Sequence, residues 1–256
     1  MIKLKKLVCA ASAAVMLGVG ALANAATLVN TELSLLLDVS NSVSVADYAL
    51  QRGGYVNAFN SPAIQNLFTG LPGGRSIAVN MVLWSGAGQQ TQAVTWTLSN
   101  NPASSAAFAT AVGLVPQAFF GNTAPGSAIN FAVPLFNNNG FDSARQVIDI
   151  SGDGIQNDGV DTATARNNAL AAGIEQINGL PIGNAVLTAW YIANIQGGAN
   201  SFVIPADSFA DFNNAVLRKL TFEITDTSPV IPVPGALPLL ASGLLAFGWF
   251  ARRRKA

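Results

Sequence analysis

The stretch 32-ELSLLLDVSNSVS-44 decides how the rest of the chain is read. From Leu33 to Leu37 every position but Ser34 is apolar, the pattern of a central strand covered on both faces rather than of a half-exposed one. The run then breaks into Asp38 and three serines, Ser40, Ser42 and Ser44, each separated by one residue. A polar cluster just past the carboxyl end of such a strand stands where open α/β sheets place their ligand sites.

Outward from this segment, strand-like runs alternate with helix candidates. Val45 to Asn60 reads as a helix, followed by strands over 76–86 and 92–99. Helix candidates over 103–112 and 125–136 precede a second buried strand, 145-RQVIDISGDG-154. A helix over 161–172, strands over 175–183 and 200–206, and a last helix over 207–220 complete the series. The alternation predicts an α/β fold with a doubly wound, mostly parallel central sheet flanked by helices. There is no internal repeat, and residues 26–225 have the size of one domain.

Both ends read as processing signals. Lys3, Lys5 and Lys6 precede an apolar run from Leu7 to Leu22, and Ala23-Asn24-Ala25 supplies a small-x-small cleavage site, so residues 1–25 are expected to be a secretory signal peptide. Residues 226–234 form a linker with the motif Ile231-Pro232-Val233-Pro234. Beyond it, residues 235–256 hold an uncharged run from Gly235 to Ala251 and then Arg252, Arg253, Arg254 and Lys255. That run is at the lower limit of length for crossing a bilayer, and its basic cluster would stay cytoplasmic. The tail resembles a PEP-CTERM-type sorting signal, with Val233 where the commonest form has glutamate. The resemblance implies processing by a protease or transpeptidase of exosortase type, and a protein held at the membrane by its tail before it reaches the cell surface or matrix.

The formal net charge of zero hides an asymmetry. Without the two ends, six basic and thirteen acidic residues remain, a charge of −7. Such a surface disfavours nucleic acid and anionic lipid and favours cations. The one cysteine, Cys9, lies in the leader, and the chain has no histidine. Ser-His-Asp and Cys-His catalysis, histidine-bound zinc and disulfides are therefore excluded for the mature domain. Metal-assisted hydrolysis would still need a positioned base.

Asp38-Val39-Ser40-Asn41-Ser42 is similar to the D-x-S-x-S motif of von Willebrand factor type A domains. In that family the motif opens a metal-ion-dependent adhesion site, completed by a threonine and an aspartate from later loops. Thr123 in 121-GNTAPGSAI-129 and Asp153 just past the second buried strand stand in the matching order. The segments YALQRGGYVNAF, GRSIAVNMVLWSG, RQVIDISGDGIQNDG and INGLPI together resemble a bacterial subgroup of secreted von Willebrand A-like proteins, over roughly residues 30–224. The resemblance implies a divalent cation, Mg²⁺ or else Mn²⁺ or Ca²⁺, held by Asp38, Ser40, Ser42, Thr123 and Asp153. It also implies a binding or adhesion module that engages an oxygen ligand of a protein or polysaccharide partner, and no enzyme.

Plainer readings stand beside this one. Ser40, Ser42 and Thr123 are residue types that cap helices, which would leave a structural surface protein without a metal. The run from Asp149 to Val160 has calcium-loop oxygens at its first positions, but Val160 stands where the bidentate acid belongs. Asp149 lies among apolar neighbours and requires a buried partner or a proton. Asp158 and Asp161 precede a helix and suit its positive end, and Trp84, Trp96 and Trp190 read as packing residues rather than a sugar platform.

Overall fold

The computed structural model describes residues 25–69 and 75–227. The segment ahead of Ala25, expected to be a leader, and the chain from residue 228 onward, with the expected sorting motif and apolar run, lie outside the described residues. Among the described residues no helix is long and apolar enough to cross a membrane.

The elements, in chain order, are β1 (Thr27–Leu28), β2 (Thr31–Asp38), α1 (Val45–Asn60), α2 (Pro62–Thr69), β3 (Ile77–Trp84), β4 (Gln90–Ser99), α3 (Pro102–Gly113) and α4 (Pro125–Ala132), which runs on as a 3₁₀ turn (Val133–Phe136). They continue as β5 (Phe141–Asp142), β6 (Gln146–Gly152), α5 (Thr162–Ala171), β7 (Gln176–Pro181), α6 (Ala185–Asn194), β8 (Gly197–Gly198) and α7 (Phe212–Thr225). The main sheet has the order β4-β3-β2-β6-β7-β8. Its four inner strands, β3, β2, β6 and β7, are parallel, and β4 and β8 at the edges are antiparallel. The doubly wound, mostly parallel α/β sheet expected from sequence is the observed architecture.

β2 is buried at all eight positions, and its residues divide between two cores. Leu33, Leu35 and Leu37 point into one, packed with residues of α1, α3 and α7. Leu36 points into the other, with Ile148, Ile150 and residues of α4, α5 and α6. The chain leaves β2 for β3 on one side and returns to β6 on the other. This reversal opens a crevice at the carboxyl end of β2, as the switch-point rule requires.

Four details differ from expectation. Residues 200–206 form no continuous strand; they run beside β7 through isolated bridges at Val203 and Ala206, and Pro205 between them has no amide to donate. The last helix begins five residues later than expected, at Phe212, and ends at Asp226 in the left-handed conformation with φ 56°. α2 and α6 were not expected. α6 is rich in Val, Leu, Trp, Tyr and Ile, which read equally well as a strand.

Candidate metal centre

Asp38 is the last residue of β2, and its register partner on β3 is Trp84. On the other side Leu37 pairs with Ser151 of β6, so Gly152 and Asp153 emerge at the same level. After Asp38 the backbone turns back. The Ser40 amide donates to Asp38 Oδ1 at 2.7 Å, an Asx-type turn that aims both serine hydroxyls upward. Ser40 Oγ lies 3.1 Å from Ser42 Oγ, Ser42 Oγ donates to Asp153 Oδ1 at 2.6 Å, and Thr123 Oγ1 stands 3.5 Å from Ser40 Oγ. All five residues named from sequence thus converge, from three loops that are far apart along the chain.

These hydroxyls are not helix caps. The N-cap of α1 is Ser44, which accepts from the Asp47 amide and donates to the Asp47 carboxylate. α4 begins after Ala124 with no side-chain cap at all. The cap positions are filled by neighbours, which leaves Ser40, Ser42 and Thr123 free to face one another.

Residues without a sequence signature fasten the three loops. The Asn41 amide donates to the Gly121 carbonyl. Ser85, just past β3, accepts from the Gly121 amide at 2.8 Å and donates to the Asn122 carbonyl at 3.1 Å. Asn157 Oδ1 accepts from the Thr123 amide at 2.8 Å, and the Asn157 amide returns a bond to the Thr123 carbonyl. Asp158 accepts from the amides of Ala87 and Gly159, which lowers its pKa, and Asp161 caps α5.

Asp38 is fully buried. Burial pushes its carboxyl up to about 7; the Ser40 hydrogen bonds oppose the rise and the charge of Asp153 adds to it. Asp153 is half-buried and also raised, again chiefly by desolvation. Asp38 Oδ2 has no hydrogen-bond partner, and a buried unsatisfied oxygen calls for an ion or a water. The donor set of two carboxylates and three hydroxyls is all oxygen, the chemistry that hard divalent cations select. The residues fit such an ion. Among the described residues no three acidic, histidine or cysteine side chains gather into a metal cluster, so any ion held here would rest largely on neutral hydroxyls.

Gly152 makes room for this arrangement. A Cβ at that position would lie 2.6 Å from Asp38 Oδ2 and 2.9 Å from the hydroxyl of Tyr191 on α6. Gly152→Ala is expected to destabilise the protein by about 1–3 kcal/mol, the usual range for overpacking, and to weaken any response to cations, both read by thermal melts.

The folded pKa of Asp38 lies above its ordinary value of 3.8, so the cation-free folded protein holds a proton that the unfolded chain has released. This contribution is complete below about pH 4 and is lost as pH rises through about 7. In urea melts with EDTA, Asp38→Asn, which mimics the protonated acid, is expected to remove this part of the slope. The variant should exceed the parent in stability at about pH 8 by on the order of 2–4 kcal/mol and match it near pH 4. An unchanged slope would contradict the burial argument.

The tryptophans are packing residues. Trp84 is buried in the second core, Trp96 donates to the Leu135 carbonyl at 2.7 Å, and Trp190 packs edge-on against Tyr191. Asp149 faces the opposite side of the sheet from Asp38 and pairs with Lys219, so it takes no part in a calcium loop.

Solved structures with the same fold include proximal thread matrix protein 1 of the mussel byssus. One crystal form matches with a TM-score of 0.56 and 14% identity over 78% of this chain and 49% of that one. A form described as having a zinc-occupied MIDAS motif matches with a TM-score of 0.54 and 15% identity, covering 77% of this chain and 45% of that chain. The pilus adhesin SpaC from Lactobacillus rhamnosus GG matches with 0.53 and 17% identity over 78% of this chain and 31% of the adhesin. The conserved hypothetical protein BatB from Bacteroides thetaiotaomicron matches with 0.52 and 16% identity over 77% of this chain and 98% of BatB. The chain therefore spans about half the length of the mussel protein and a third of the adhesin. At these identities the likeness establishes the von Willebrand A-like fold and nothing more. No curated protein matches by sequence. Residues 28–228 match the family described as "Protein of unknown function (DUF1194)", and on that match over most of its length the chain belongs to the DUF1194 family.

Proposed function

We propose that the domain is an exported binding or adhesion module that engages an oxygen ligand of a partner through a divalent cation. Asp38, Ser40, Ser42, Thr123 and Asp153 would hold the ion, Mg²⁺ in the first place and Mn²⁺ or Ca²⁺ as alternatives. One observation carries the reading: three loops bring two carboxylates and three hydroxyls together around a buried, unpartnered oxygen of Asp38. The zinc-occupied motif in the mussel protein and the adhesive role in the name of SpaC agree with it.

The ion would supply an electrophilic contact, because neutral hydroxyl ligands quench little of its charge. The protein's own contribution is to hold the hydroxyls in place and exclude water beneath them. The same set offers no spare base beside the ion, which argues against hydrolysis. The partner would be a protein or a polysaccharide of the cell surface or matrix, not nucleic acid. The apolar tail and basic cluster, with an exosortase-type enzyme, would set the route from membrane to surface.

Adsorption of the purified protein to producing cells tests the proposal. Binding is expected in millimolar Mg²⁺, and it should vanish in EDTA and in Asp38→Ala. Adsorption that is indifferent to both changes would leave a structural surface role.

A further inference from the structure

Behind the sheet, away from the candidate metal centre, lies a second chemical cluster. Lys219 on α7 is fully buried, as are Asp149 on β6 and Glu223 one turn further along α7. Lys219 Nζ is 2.6 Å from Asp149 Oδ1 and 2.6 Å from Glu223 Oε1. Asn178 on β7 donates to the same Glu223 oxygen at 2.9 Å, while Glu223 Oε2 is buried without a partner. The Phe202 ring closes the site, with its centroid 5.9 Å from Nζ.

Lys219 thus stands within contact distance of both acids at once, and the two carboxyls are close enough for the charge of Glu223 to bear on Asp149. The trio has two acids for one base, all fully buried, where charge is expensive. Burial raises the Asp149 pKa to about 7, helped by the charge of Glu223 and opposed by Lys219, which keeps a share of that carboxyl protonated.

We propose that Lys219 and Asp149 condense into an intramolecular amide, with Glu223 as the proton carrier. Glu223 takes a proton from the Lys219 ammonium. The freed amine adds to Cγ of the protonated Asp149 carboxyl, forming the C–N bond. Glu223 then relays a proton from that nitrogen to one carboxyl oxygen, which leaves as water. An ammonium, a carboxylic acid and a carboxylate become an amide, a water and a carboxylic acid, with no redox change and no outside reactant. In water such a condensation is opposed by the hydration of both ions; burial weakens that opposition, and the fold supplies proximity. The product ties α7 to the central sheet and removes a buried ion pair.

The test is peptide mapping of the folded full-length protein by mass spectrometry. Trypsin should release the peptide 146–166 joined to one that begins at Lys219, lighter than their sum by one water. Cleavage after Lys219 should be blocked. Glu223→Gln and Lys219→Arg should both yield the two peptides unjoined. Recovery of a free, trypsin-cleaved Lys219 from the folded parent protein would overturn the proposal. A peptide joined through Asn178 with loss of ammonia would overturn the assignment to Asp149.

Discussion

Stripping the protein with EDTA is expected to lower its melting temperature, and millimolar Mg²⁺ to restore it. A ligand that binds only the native state adds RT ln(1 + [L]/Kd), about 2.7 kcal/mol when the ion stands 100-fold above its dissociation constant. For a domain of this size that corresponds to a shift of roughly 5–10 °C. The response has a structural origin in Asp38, whose buried Oδ2 has no partner within the protein and whose carboxyl is pushed toward neutrality by burial. A cation would reverse that push and let the acid ionise. Asp38→Ala should abolish the shift, and Ser40→Ala or Thr123→Ala should reduce it. Equal melting temperatures with EDTA and with Mg²⁺ would remove the metal from the proposed function and leave the five residues as a hydrogen-bonded loop clamp.

Lys219→Met should be the most damaging single change in the core. It leaves Asp149 and Glu223 buried face to face with no cation between them and no nitrogen to form the proposed amide, and removing one partner from a buried charge cluster alone costs about 3–5 kcal/mol. The triple change Lys219→Met, Asp149→Leu, Glu223→Leu should recover the part of the loss that comes from uncompensated charge, and not the part that comes from the missing amide tie. Chemical denaturation of the single and triple variants gives both numbers. A single variant within about 1 kcal/mol of the parent would mean that water reaches the cluster.

The sequence makes the fold legible where the physics is local. The nearly apolar run of β2 announces its own boundaries, and α1 runs over the expected Val45–Asn60. α6 fails that test because Val186, Leu187, Trp190, Tyr191 and Ile192 suit a strand as well as a helix, and only packing against β7 and α5 decides. The five site residues could be named because Asp38, Ser40 and Ser42 stand in a motif similar to that of von Willebrand A domains and Thr123 and Asp153 follow in the matching order; Thr123 itself sits between α3 and α4, not at a strand end. Their supports could not. Ser85 and Asn157 act through backbone bonds to the loop of Thr123, and nothing in the sequence sets them apart from other polar loop residues. Gly152 is needed for what lies beside it rather than for its backbone angles. The partner of Asp149 was likewise hidden, since Lys219 reaches it only through the docking of α7.

β2 is the first long strand of the chain and also the middle of the sheet. A ribosome therefore delivers this apolar segment well before either neighbour that will cover its edges. β3 follows after two helices, and β6 comes only with Gln146–Gly152. Until then Leu33 to Leu37 is a bare hydrophobic template, open to wrong partners. The aspartate and serines that follow it are delivered equally early and have nothing to bind with. Birth order thus leaves the strand that organises the finished molecule waiting for its partners during synthesis, and the site cannot close until Asp153 has been delivered.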